Sequence, residues 1–371
     1  MSDSEKEILK RIKDNPFISQ RELAEAIGLS RPSVANIISG LIQKEYVMGK
    51  AYVLNEDYPI VCIGAANVDR KFYVHKDLVA ETSNPVTSTR SIGGVARNIA
   101  ENLGRLGETV AFLSASGQDS EWEMIKRLST PFMNLDHVQQ FENASTGSYT
   151  ALISKEGDMT YGADMEVFDY ITPEFLIKRS HLLKKAKCII VDLNLGKEAL
   201  NFLCAYTTKH QIKLVITTVS SPKMKNMPDS LHAIDWIITN KDETETYLNL
   251  KIESTDDLKI AAKRWNDLGV KNVIVTNGVK ELIYRSGEEE IIKSVMPSNS
   301  VKDVTGAGDS FCAAVVYSWL NGMSTEDILI AGMVNAKKTI ETKYTVRQNL
   351  DQQQLYHDME DYKNGKFTKV Y

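Results

Sequence analysis

Apolar residues recur along this chain with two different periods, and the change from one to the other divides it near residue 57. Residues 1–56 follow a helical spacing. Ile8, Leu9, Ile12 and Ile18 follow a helical apolar spacing, which stops at Asn15-Pro16. Ser19 then has the position of an N-cap for residues 20–27, with Glu22 at the third helical position as in a capping box, and Gly28 ends that helix. Ser30 opens a third helix whose apolar face is Val34, Ile37, Ile38, Leu41 and Ile42. Tyr46-Val47-Met48 and Ala51-Tyr52-Val53-Leu54 flank Gly49-Lys50 and predict a small hairpin.

From Tyr58 onward, short β-branched runs alternate with helical patterns. Strands are predicted at 59–64, 110–113, 188–192, 214–217, 236–238 and 273–276. Helices are predicted at 95–106, 173–186, 197–210, 242–248 and 255–268. This rhythm predicts a mostly parallel sheet covered on both faces, with ligands outside the carboxyl ends of its strands. Phe72–Val74, Thr87–Ser91, Tyr149–Ser154 and Met159–Tyr161 are strand-like but outside that rhythm. The domains are therefore 1–56 and 57–371.

Composition narrows the class. With 43% hydrophobic and 25% charged residues, the chain has the make-up of a globular protein. It carries no apolar run of membrane-span length and no secretory pattern at Met1–Glu7, so a cytoplasmic location is expected. Its four cysteines show no metal-ligand spacing, and the net charge of −5 argues against a polybasic surface over the whole chain.

The densest chemistry lies in Asp303-Val304-Thr305-Gly306-Ala307-Gly308-Asp309-Ser310-Phe311, directly before an apolar helical pattern. The Gly306, Ala307 and Gly308 amides would open onto a helix N-terminus, which favours anions. An acid inside an anion hole repels phosphate, unless it accepts a proton from a hydroxyl that attacks a phosphoryl group. A simple Gly-rich helix cap is the alternative. The nonapeptide resembles the second signature of the PfkB, or ribokinase-like, sugar and nucleoside kinases. Gly93-Gly94-Val95-Ala96-Arg97-Asn98 resembles the first, with the glycines admitting a sugar and Asn98 addressing its hydroxyls.

The resemblance implies a three-layer α/β/α ribokinase-like domain with a small β-sheet lid (parts of 72–91 and 149–161), through which two copies pair. It implies ATP and Mg²⁺, with Asp309 as base and the Gly306–Gly308 amides around the transferring group. Asn67 and Asp69 match the residues that bind the ribose diol, and Asp164 lies in a lid motif. Asn240 and Glu243 match the Asn-x-x-Glu element that steers phosphates and holds Mg²⁺ through water; a plain acidic first turn is the alternative. Thr276 and Gly278 match the nucleotide loop, although the family's second glycine is Glu281 here. Asn335 falls where the family has an adenine-side polar residue, or is a helix-surface asparagine. Asp303 and Thr305 are candidates for a K⁺ site. Ser83–Val86, the Gly93–Ala100 form and Gly162–Met165 resemble the pseudouridine kinases within the family.

Residues 1–56 resemble a winged helix-turn-helix, which implies DNA contacts from Arg31, Ser33 and Asn36. The segment holds eight Lys/Arg and eight Asp/Glu, less basic than strong DNA binding favours, so a docking or dimerisation module is the alternative. The sequence thus points to a kinase acting on the 5′-hydroxyl of a ribosyl compound, most of all pseudouridine. Other sugar or nucleoside kinases, or a regulator that only senses a nucleoside, are the alternatives.

Overall fold

The computed structural model describes residues 1–14, 18–48, 60–75, 77, 79, 81–156, 158–298 and 300–366. Three helices, α1 (Asp3–Asp14), α2 (Gln20–Ile27) and α3 (Arg31–Gln43), enclose their own apolar core of Ile8, Leu23, Ala24, Val34, Ile38 and Leu41. The predicted caps form. Ser19 and Glu22 close a capping box, Gly28 ends α2 in the left-handed region, and the Ser30 hydroxyl accepts from the Ser33 amide. The hairpin expectation does not hold at Tyr46–Met48, where the chain makes a turn and a bend after α3. Its second strand, 51–54, and the boundary at 56/57 lie outside the described residues.

The larger domain holds β1 (Ile60–Ile63), β2 (Asn67–Val74), β3 (Val86–Gly93), α4 (Val95–Arg105), β4 (Val110–Leu113), β5 (Ala115–Gly117), α5 (Ser120–Ser129), β6 (Gln139–Phe141), β7 (Ser148–Ile153) and β8 (Met159–Asp164). It continues through α6 (Pro173–Ile177), α7 (Ser180–Leu183), β9 (Cys188–Asp192), α8 (Lys197–His210), β10 (Lys213–Thr217), β11 (Trp236–Asn240), α9 (Lys241–Leu248), α10 (Thr255–Asp267) and β12 (Asn272–Thr276). β13 (Glu281–Ser286), β14 (Glu289–Ser294), α11 (Ala307–Leu320), α12 (Thr325–Ile340) and α13 (Gln352–Lys363) complete it.

Eight strands form the main sheet in the order β14-β13-β12-β11-β10-β9-β1-β4. The six from β4 to β12 run parallel, and β13 and β14 extend the edge antiparallel. Period-two alternation builds a core on each face. Ile60 and Cys62 of β1 pack in the layer that includes α4, α11 and α12, while Val61 and Ile63 pack in the layer that includes α8 and α10. A second sheet, β3-β2-β7-β8, forms the lid.

The helix predicted over 173–186 is two short ones. Between them the Arg179 guanidinium stacks on Phe175 and donates to the carbonyls of His137 and Phe175. Among the described residues no helix is long and apolar enough to cross a membrane.

Candidate active site

The carboxyl ends of β1 and β9 meet the N-termini of α4 and α11. Asp192, the last residue of β9, is fully buried and accepts from the amides of Ala65 (2.9 Å), Ala96 (3.1 Å) and Asn194 (2.9 Å). One carboxylate thereby ties the turn after β1 to the start of α4. Burial pushes that carboxyl up from its ordinary value. Asp192 ends the strand predicted at 188–192 and is not among the sequence-predicted site residues. The available signal was an acid closing a buried parallel strand, where ligand sites lie.

Gly94 caps α4 with φ 102°, and a Cβ there would stand 2.3 Å from the Ala65 carbonyl oxygen. This glycine is therefore required by the backbone crossing itself. One turn into α4, Asn98 donates from Nδ2 to Asp309 Oδ2 at 2.7 Å, and its Oδ1 accepts from Arg97 at 3.1 Å. Asn98 is only 3% exposed. Each end of its amide thus carries one bond inside the protein, and one N–H and one Oδ1 lone pair remain uncommitted among the described residues, as the sugar hydroxyls expected at Asn98 require.

α11 starts at Gly306, with φ 82°, where a Cβ would lie 2.1 Å from the Thr345 carbonyl oxygen. No side chain caps this helix. The Ala307 amide donates back to the Val304 carbonyl at 3.3 Å, so the expected trio of open amides is corrected at that member. Those of Gly306, Gly308 and Asp309 meet no acceptor among the described residues. Asp309 is half-buried at the third position of the helix. Burial pushes its carboxyl up to about 7, with the charges of Asp192 and Asp69 adding to the rise, while the Asn98 amide and Arg97 oppose it.

On β2, Asn67 donates to Asp69 at 2.7 Å, and Gly93 stands opposite Asn67 in the β3 register. Burial lifts the Asp69 carboxyl to about 6. Lys71, on the same face, pairs with Asp303 Oδ2 at 3.0 Å, and Asp303 Oδ1 accepts from the Thr305 amide and hydroxyl. Although burial works against it, these bonds hold the Asp303 carboxyl below its ordinary value. A lid strand is thus tied to the loop before α11.

Asp164 does not join this cluster. It pairs with Ser148, which pairs with Val68, and strand alternation turns that row to the lid face opposite Asn67 and Asp69.

The nucleotide candidates gather further along the same sheet edge. Asn240 caps α9 and accepts from the Glu243 amide at 2.9 Å. Glu243, 5% exposed, accepts through Oε2 from the Asn240 amide at 3.0 Å and from the hydroxyls of Thr218 and Thr239. Its Oε1 accepts nothing among the described residues. Thr276 stands opposite Asn240 on the neighbouring strand, and its hydroxyl lies 3.4 Å from the Thr239 carbonyl. Gly278, φ 58°, turns the chain from β12 to β13. Glu281 braces that turn by accepting from the Asn277 side chain at 2.8 Å.

Asn335 requires a correction. It is fully buried on α12, donates to Asn102 and the Ser310 carbonyl, and accepts from Arg347. Its amide locks helices together behind the site and is closed to an adenine. On α3, Arg31 and Asn36 are exposed, whereas the Ser33 hydroxyl is shared with Ser30 at 2.8 Å.

Known proteins place this architecture. Residues 59–352 match the pfkB family carbohydrate kinase profile, and residues 1–48 match that of winged helix-turn-helix DNA-binding segments. The chain is 31% identical over 330 residues to the uncharacterized sugar kinase YeiI of Escherichia coli, covering 88% of this chain and 90% of that protein. It is 29% identical over 270 residues to the pseudouridine kinase of Escherichia coli, covering 72% and 85%. In fold it is similar to Arabidopsis thaliana ribokinase complexed with ribose and ATP, with TM-score 0.73, 20% identity, and coverage of 82% of this chain and 99% of that one. A carbohydrate kinase from Agrobacterium tumefaciens gives TM-score 0.72 at 24% identity, covering 82% and 97%. With a family match running from the first strand of the main sheet to the start of its last helix, and a winged helix-turn-helix ahead of it, this chain belongs to the pfkB family of carbohydrate kinases, phosphotransferases with an alcohol group as acceptor.

Proposed function

We propose that this kinase transfers the γ-phosphoryl group of ATP to the 5′-hydroxyl of a ribosyl nucleoside, with pseudouridine as its best acceptor. The observation that carries the chemistry is Asp309: a half-buried carboxylate, raised to about 7, beside open amides at an uncapped helix N-terminus. Asn67, Asp69, Gly93 and Gly94 receive the sugar, with Asp69 turning from Asn67 to the diol. The acceptor oxygen attacks the γ-phosphorus, its proton passes to Asp309, and the bond to the β-phosphate oxygen breaks to leave ADP. The open amides and the dipole of α11 stabilise the charge on the transferring group. The nucleoside preference is supported by the Gly93–Ala100 and Gly162–Met165 resemblance and by the similarity to a pseudouridine kinase.

Magnesium keeps most of its waters, so a single carboxylate oxygen suits it, and Glu243 Oε1 has that character. Bound there with the nucleotide, Mg²⁺ would neutralise phosphate charge. The carbonyls of Asp303 and Thr305 accept no bond among the described residues, which suits a K⁺ ion. We further propose a cytoplasmic homodimer paired through the lid, with α3 meeting DNA through Arg31 and Asn36.

A coupled assay of ATP consumption across pseudouridine, uridine, ribose and fructose tests the main reading. Pseudouridine should give the highest kcat/KM, and an equal or higher value for ribose or fructose overturns the assignment. For the N-terminal segment, mobility shifts on upstream DNA should show salt-sensitive binding that Arg31→Ala weakens. No shift at low salt, with or without nucleoside, makes it a docking or oligomerisation module.

A further inference from the structure

Behind Asn98 stands a side chain with no role in the transfer just described. Arg97 is 1% exposed, and its guanidinium is spread over three partners: Nε donates to Ser129 Oγ at 3.0 Å, Nη2 pairs with Glu101, and Nη1 donates to Asn98 Oδ1 at 3.1 Å. Glu101 is in turn held by Arg105 at 2.8 Å, and Asn102 anchors the Asn98 carbonyl at 2.9 Å. A buried guanidinium is costly to desolvate; Glu101 compensates its charge, and its Nη1 donor is directed at the Asn98 amide.

We propose that Arg97 is a positioning residue that sets the orientation of the Asn98 amide, so that its NH₂ faces the Asp309 carboxylate and holds that base ionised. The reason is polarity. A guanidinium only donates and a carboxylate only accepts. With Asn98 between them, one orientation satisfies both neighbours. The flipped one sets NH₂ against N–H on one side and oxygen against oxygen on the other. Without Arg97, only the carboxylate discriminates between the two.

The setting gives the orientation a chemical consequence. The groups around Asp309 are Asp69 of β2, Asp192 of β9, Asn98 and Arg97 of α4, and Cys312 of its own helix. Two of these are acids that disfavour a second negative charge, and burial disfavours it further. The Asn98 donor at 2.7 Å opposes them directly. A weakened donor raises the pH needed to ionise Asp309, so activity is lost on the acid side first.

The inference rests on Asp309 as the base, and the test separates the two. Arg97→Met with Glu101→Gln removes one positive and one negative charge, so long-range effects nearly cancel and the change reports the amide. The acid limb of kcat/KM and the Asp309 carboxyl titration, followed by ¹³C NMR of aspartate-labelled protein, should both rise by about one pH unit, the worth of one hydrogen bond. Asn98→Ala should give a similar rise, and adding the Arg97 and Glu101 changes to it should move the limb no further.

A folded double variant with wild-type limb and wild-type titration overturns the role of Arg97 and leaves the base intact. A raised titration with an unmoved limb supports Arg97 and removes Asp309 from its role as base. If the double variant does not fold, Arg97→Lys replaces it. It keeps the charge but loses the fork, and should show a smaller rise in the same direction; an unchanged titration overturns the proposal.

Discussion

Two helices at the sheet's ligand edge begin alike and end up serving different ends. α9 and α11 each carry an acid at the third helical position, Glu243 and Asp309. In α9 the N-cap is Asn240, whose side chain takes the Glu243 amide, and Glu243 folds back onto the Asn240 amide. In α11 the N-cap is Gly306, in the left-handed region and without a side chain. No reciprocal bond forms, the Gly308 and Asp309 amides stay open among the described residues, and Asp309 turns to Asn98 across the cleft. The N-cap residue therefore decides whether an acid at that position stabilises its own helix or is free for chemistry.

The sharpest way to break this contrast is Asp309→Asn. Turnover should fall by about 10²-fold or more with acceptor binding nearly intact, the usual size of a lost general base. Near-wild-type turnover would remove Asp309 from its role. The same variant should gain stability. Its folded carboxyl, at about 7, lies above the ordinary 3.8, so ionisation penalises the folded state. That penalty is absent below the lower value and complete above the higher one. Thermal melts should therefore place the variant above wild type at pH 8 and close to it near pH 4.

Glu243→Gln probes the other helix with a smaller effect. Because Oε2 is taken up by the cap and Oε1 is open, we expect about a tenfold loss in kcat/KM for ATP and a higher magnesium requirement, with a slight drop in melting temperature. A lower melting temperature with unchanged ATP kinetics would make Glu243 a cap and nothing more.

Removing residues 1–56 should have the least effect, leaving kcat and both KM values unchanged. The first three helices have a core of their own, and the Lys184–Glu22 pair that links them to the rest is exposed and contributes below about 1 kcal/mol. A folded truncation without activity would show that the contrast between α9 and α11 depends on the N-terminal domain.

Much of this architecture is written in short-range patterns. Ser19 with Glu22, Ser30 with Ser33 and the alternating strands around Cys62 and Ile190 depend on neighbours within four residues, and the sequence alone determined them. It also located the glycines at 94 and 306. The partners of the polar groups were another matter. Asn98 and Asp309 are 211 positions apart, Ala96 and Asp192 are 96 apart, and Asn335 reaches Asn102 across 233. Whether an asparagine faces a ligand or another helix depends on packing between elements, which no local period encodes. For Asp164, one step in strand register decides the face. The sequence thus determined the caps of α2 and α3, the parallel strands of the main sheet and the family, but not the break between α6 and α7. The tertiary structure alone decided that Asn98 reaches Asp309, that Asn335 is locked away, and that Arg97 stands behind Asn98, because those outcomes depend on distances set only when the helices dock on the sheet.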